Sequence, residues 1–74
     1  MTTRYGLVGC GMMGIEHLRN IALLPDVEVV AICDPVEQQR ARGLEVAPNA
    51  MAFASIGDFL AVEALDAIII GKLK

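Results

Sequence analysis

The chain has few cysteines, little histidine, no surplus of positive charge and no long apolar run, and each lack removes a class of protein. Cys10, Cys33 and the single histidine, His17, are all that 74 residues offer, so neither a disulfide framework nor a zinc cluster is available. Six Lys and Arg stand against nine Asp and Glu, a formal net charge of −3. A nucleic-acid or anionic-membrane partner needs a basic face, so neither is expected. The longest purely apolar stretches, Val29–Cys33 and Ala50–Ala54, with the shorter Ala67–Ile70, fall far short of the roughly 20 residues that cross a bilayer. Tyr5–Ile15 has the length of a signal-peptide core, but Gly6, Gly9, Gly11 and Gly14 interrupt it. Glu16-His17-Leu18-Arg19-Asn20 then follows in place of a small-residue cleavage site. The expected compartment is the reducing cytoplasm.

What is present is apolar content spread through the whole chain. Hydrophobic residues make up 55% of it and mean hydropathy is +0.57, which excludes disorder. A chain this short hides only about 60% of its unfolded surface, so one small domain is the most it can form.

Turn signals divide it into alternating units, without repeats or low-complexity tracts. Tyr5-Gly6-Leu7-Val8 is short, apolar and closed by glycine, as a buried strand should be. From Met12 to Leu24 the spacing changes: Ile15, Leu18 and Ala22 recur at three- and four-residue steps, with Glu16, Arg19 and Asn20 opposite. Pro25-Asp26 ends that helix. Val27–Cys33 is dense in β-branched residues, the mark of a strand covered on both faces. Asp34-Pro35 then reads as N-cap and first residue of a second helix, with Gln38, Gln39, Arg40 and Arg42 on its wet face. Ala50–Phe53 fits a short third strand. Ser55-Ile56-Gly57-Asp58 fits a capping box opening a short helix through Leu60 and Val62. Asp66–Ile70 is the last strand. The order β-α-β-α-β-α-β predicts an α/β fold, a partial doubly wound parallel sheet of Rossmann type with right-handed crossovers.

Gly9-Cys10-Gly11-Met12-Met13-Gly14 has the spacing G-x-G-x-x-G. A chain with this glycine content shows it by chance with a probability of about 6%, so its context must discriminate. Here it follows a strand, opens a helix and lies about 20 residues before an acid ending the next strand, the dinucleotide-binding fingerprint. Gly9 permits the tight turn. Gly11 lets the main chain approach a pyrophosphate, and Gly14 lets helix and strand pack closely. The N–H groups of Met12 and Met13 then face the phosphates, aided by the helix dipole. Asp34, followed by Pro35, would accept hydrogen bonds from the adenosine ribose and repel a 2′-phosphate, which favours NAD over NADP. The bland alternatives are a glycine turn used only for packing and an Asp34 used only as a cap. Cys10 and Cys33 read as small packing residues near strand ends. His17 reads as a surface or helix-packing residue, and Met12, Met13 and Met51 as contact or core residues. No catalytic or metal-ligating residue is assigned.

Residues Tyr5–Gly14, His17-Leu18 and Val29–Pro35 together resemble the N-terminus of the Gfo/Idh/MocA oxidoreductases, with weaker likeness at Phe53-Ala54-Ser55 and Asp66–Ile70. The resemblance covers residues 4–70. It implies an enzyme of about 350 residues in two domains. An N-terminal domain would hold NAD(P), and a C-terminal domain would hold a sugar, polyol or similar substrate. The family's Glu-Lys-Pro segment and later His or Asp have no counterpart here. Gly71-Lys72-Leu73-Lys74 also departs from the family's Ala-Thr-Pro-type loop. Residues 1–70 are therefore expected to be a partial NAD(P)-binding domain, inactive alone and lacking its substrate domain, with 71–74 as a divergent tail. The uncovered fourth strand is expected to self-associate. Two alternatives remain: a stand-alone NAD-binding or interaction module without catalysis, and part of an NAD-dependent glycosidase of the same family.

Overall fold

The computed structural model describes residues 2–63 and 65–71, at Met13 by its backbone alone. The elements run β1 (Thr3–Val8), α1 (Met12–Ala22), β2 (Val27–Cys33), α2 (Glu37–Val46), β3 (Met51–Phe53), α3 (Ile56–Leu60) and β4 (Ala67–Ile70). All pairings are parallel and the sheet order is β3-β2-β1-β4. This is the α/β sheet expected from the alternation, and both bounds of β2 fall where its β-branched run begins and ends.

The two faces of the sheet bury different sets of side chains. On one, Leu7, Cys10, Leu18 and Ile32 form a closed cluster with Ile15, Leu44 and Ile69 packed against it. The 11-residue α1 and the 10-residue α2 supply its cover. Along α1 the residue buried beyond Leu18 is Ile21, while Ala22 is exposed. On the other face, Ala31, Cys33 and Phe59 are buried, with Val8, Val30, Phe53 and Leu65 against them. Phe59 lies directly over Gly6, where an added Cβ would be only 2.6 Å from its Cζ, and meets Phe53 edge to face. Asp66 fixes the start of β4: its N–H donates to the Arg4 carbonyl at 2.8 Å, and Arg4 N–H donates to its Oδ2 at 2.9 Å.

Several local expectations are corrected. Asp34 is not the cap of α2 and Pro35 is not its first residue; the cap is Val36, in extended conformation, and Glu37 opens the first turn. The Asp34 carboxylate is drawn into a turn of its own instead, with Val36 N–H donating to Oδ1 at 2.8 Å. Ser55 stands at the cap of α3 but makes no side-chain cap bond. Ser55 and Asp58 are both exposed, so water can satisfy each without the other. Helix α1 ends at Ala22, with Leu23 as C-cap. Met12 and Met51 are 75% and 53% exposed and belong to no core. Apart from Gly71, the expected tail lies outside the described residues, as does the side chain of Met13.

Candidate functional site at the ends of β1 and β2

The first turn is built by three glycines that are needed for different reasons. Gly9 has φ 93°, a conformation that side chains rarely adopt. Its N–H donates to the Cys33 carbonyl at 2.7 Å, tying the turn to the end of β2. A Cβ on Gly14 would land in the Gly9 carbonyl, so α1 rests directly on the turn. Gly71 completes this junction. Its N–H donates to the Val8 carbonyl at 2.8 Å, and a Cβ on it would lie 2.6 Å from Gly14 Cα.

Gly11 is different. It is the N-cap of α1 at φ −73°, ψ −167°, where any residue can sit. An added Cβ would have only Gln39 Oε1 near it, at 3.7 Å. Among the described residues nothing requires glycine here, and only the flexible Gln39 side chain reaches over it. The cap has no side-chain bond, and the first helical bond is Ile15 N–H to the Gly11 carbonyl at 2.9 Å. The preceding first-turn N–H groups therefore lack intrahelical acceptors and sit at the positive end of the helix dipole.

Asp34 joins the two loops that border this space. It is only 5% exposed. Cys10 N–H donates to its Oδ2 at 2.8 Å, Val36 N–H donates to its Oδ1, and its own N–H donates to the Phe53 carbonyl at 3.0 Å. A carboxylate has about four acceptor sites, so two remain beyond the backbone donors. Pro35, exposed, carries the chain around the turn. Arg40 Nη1 donates to the Asp34 carbonyl at 2.8 Å. Gln39 and Arg40 are half-buried beside the site rather than on a wet face. Gly43 carried the signal that could have found them: it is the buried residue of α2, and residues three and four before it share its side of the helix.

The cysteines are packing residues on opposite faces. Cys10 Sγ lies 3.1 Å from where a Cβ on Gly43 would be, which lets α2 approach the sheet. Burial, and then the charge of Asp34, push the Cys10 thiol up to about 11. Burial and Asp34 also push Cys33 upward. Both therefore keep their protons near neutrality. His17 is exposed on α1. A separate hollow of about 190 Å3, lined by Leu18, Val29, Val46 and Pro48, opens at the other end of β2, away from these groups.

A parallel sheet with a glycine turn opening a helix after β1 and an acid ending β2 defines the dinucleotide-binding class of α/β proteins. Residues 3–72 match the family described as the oxidoreductase family with NAD-binding Rossmann fold, and the chain belongs to it, among the Gfo/Idh/MocA proteins. Inositol 2-dehydrogenase of Corynebacterium glutamicum (strain R) is 38% identical over 68 residues, which span 90% of this chain and 20% of that protein. The rhizopine catabolism protein MocA of Rhizobium meliloti is 35% identical over 68 residues, again 90% of this chain and 20% of its own length. Among solved structures, a myo-inositol dehydrogenase from Corynebacterium glutamicum superposes with TM-score 0.87 at 38% identity, covering 99% of this chain and 22% of that one. The WlbA dehydrogenase from Bordetella pertussis, in complex with NADH and UDP-GlcNAcA, gives TM-score 0.85 at 32% identity, covering 97% and 22%. The chain thus spans about a fifth of the length of the relatives it matches. Among the described residues no helix is long and apolar enough to cross a membrane.

Proposed function

We propose that the chain holds the adenine-side half of NAD for an oxidoreductase acting on inositol or a related polyol. The rest of the relatives' length would supply the substrate domain. One observation carries the reading: among the described residues Gly11 has no neighbour that demands a glycine, yet it stands at an uncapped helix start with only the flexible Gln39 side chain over it. A pyrophosphate fits such a cradle, since it accepts N–H bonds and needs a close main-chain approach. In this reading Gly9, Gly11 and the N–H groups of Met12 and Met13 bind the pyrophosphate. Gly14 and Cys10 shape the turn. Asp34, with Pro35 behind it, takes the ribose hydroxyls on its two remaining acceptor sites. When bound, the nicotinamide would supply the hydride chemistry, and this chain would bind and orient it.

Three outcomes follow from the reading. NAD, NADH and ADP-ribose should bind within about threefold of one another, because the contacts lie on the side the three share. NADP should bind more weakly, because its 2′-phosphate meets the Asp34 carboxylate, and Asp34→Ser should remove most of that difference. No NADH should form with a panel of inositols and sugars, since among the described residues no group is placed to take a carbinol proton. Titration calorimetry and absorbance at the NADH band test all three; equal binding of NADP and NAD by wild type and Asp34→Ser alike would contradict the Asp34 assignment.

We also propose that β4 is an association edge. Among the described residues β4 is an edge strand paired with β1, its Ile68 and Ile70 are 43% and 68% exposed, and such a strand pairs readily with another chain. A monomer by sedimentation at tens of micromolar would contradict this.

A further inference from the structure

We infer that Arg40 limits how strongly this site refuses a 2′-phosphate: its guanidinium offsets the Asp34 carboxylate, so that the preference for NAD over NADP is modest. The inference rests on the dinucleotide reading above and deepens it. The sequence alone gives Asp34 no nearby cation, because Arg40 follows six positions later on a helix. In the folded chain, Arg40 Nη1 is bonded at 2.8 Å to the carbonyl of Asp34 itself. A guanidinium is thus held on the backbone of the residue whose carboxylate is to take the ribose.

Arg40 is half-buried, and a planar fork already fixed on a carbonyl loses little further freedom on binding an anion. That carbonyl engages one of its five donors, and no other partner is found among the described residues. The two charges also act against each other at the strand ends. Asp34 raises the Cys10 and Cys33 thiols, whereas Arg40 lowers both. Neighbouring Gln39 reaches over Gly11, so the first turn of α2 overhangs the mouth of the site. A 2′-phosphate entering there would meet a carboxylate on one side and free N–H donors on the other. Charge-assisted bonds to phosphate are about twice as strong as neutral ones.

Titration of the full chain with NAD and NADP, for wild type, Arg40→Gln and Arg40→Lys, tests the inference. Wild type should favour NAD by less than about thirtyfold. Arg40→Gln should widen that ratio about tenfold through weaker NADP binding, with NAD affinity changed less than about twofold. Arg40→Lys keeps the charge and should leave the ratio within about threefold of wild type. A purely structural role would weaken both ligands together and leave the ratio alone. An unchanged ratio in Arg40→Gln, or a ratio in Arg40→Lys as wide as in Arg40→Gln, overturns the inference while leaving the site reading intact. Should Arg40→Gln fail to fold, the wild-type ratio decides: a preference above about thirtyfold overturns it. No binding of either dinucleotide by wild type overturns the site reading and this inference with it.

Discussion

The two faces of the sheet are made from the same strands but are closed to very different degrees. Under α1 and α2, Leu7, Cys10, Leu18 and Ile32 are all at or below 1% exposure. On the opposite face α3 has five residues, and its Phe59 is the large side chain fully withdrawn from water. Ile68 and Ile70 alternate with Ile69 along β4; Ile69 packs on the first face, which leaves the other two facing solvent on the second. Alternation along a parallel strand gives both faces equal apolar potential. What differs is the length of helix available to cover each. The glycine turn and Asp34 sit at the strand ends bordering the better-closed face, so α1 and α2 are the helices beside the candidate site.

The sharpest way to break this comparison is to remove the side chain that holds the thin face. Phe59→Ala should cost about 3–5 kcal/mol, as for other buried aromatic truncations. Measured by urea denaturation, a loss below about 1 kcal/mol would show that this face contributes little to folding. On the closed face, Gly14→Ala forces a methyl into the Gly9 carbonyl and should cost about 2–3 kcal/mol through displacement of the turn. A melting temperature equal to wild type would contradict the packing described.

A smaller effect is linked to pH. Folding raises the Cys10 thiol from 9.0 to about 11, so the folded state holds that proton longer than the unfolded chain. The stability involved is complete below pH 9 and declines as pH rises towards 11. The urea midpoint of wild type should therefore fall more steeply over that window than that of Cys10→Ala. At pH 8 a thiol reagent should modify Cys10 about a hundredfold more slowly than an unfolded cysteine. The smallest effect belongs to the exposed strand. Ile70→Lys should change folding stability by less than about 0.5 kcal/mol, and the proposed association through β4 predicts a smaller sedimenting species for it than for wild type at tens of micromolar.

Much of the fold was legible in the sequence because local chemistry and global pattern agreed. VEVVAIC is bounded by Asp26, at positive φ, and by Asp34, so β2 could be read to the residue. The glycine spacing identified the turn. The start of α2 misled because Asp-Pro signals a cap with first helical residue and an Asp-Pro turn equally well; only the Cys10 N–H, supplied by another loop, settles it. Gly71 was assigned to a tail because its partners, Gly9 and Gly14, lie at the other end of the chain. Gln39 and Arg40 were hidden for a similar reason: α2 has so few apolar residues that its inward side is marked only by Gly43.

The most direct test of the dinucleotide site is Gly11→Val, because Gly11 is the turn glycine that no described neighbour requires. Its backbone conformation suits any residue, and the nearest atom to an added Cβ is a flexible side-chain oxygen 3.7 Å away. The variant should melt within about 2 °C of wild type, yet show no calorimetric binding of NAD, NADH or ADP-ribose, because the branched side chain fills the place of the pyrophosphate. A folded Gly11→Val that binds NAD as wild type does would contradict the assignment.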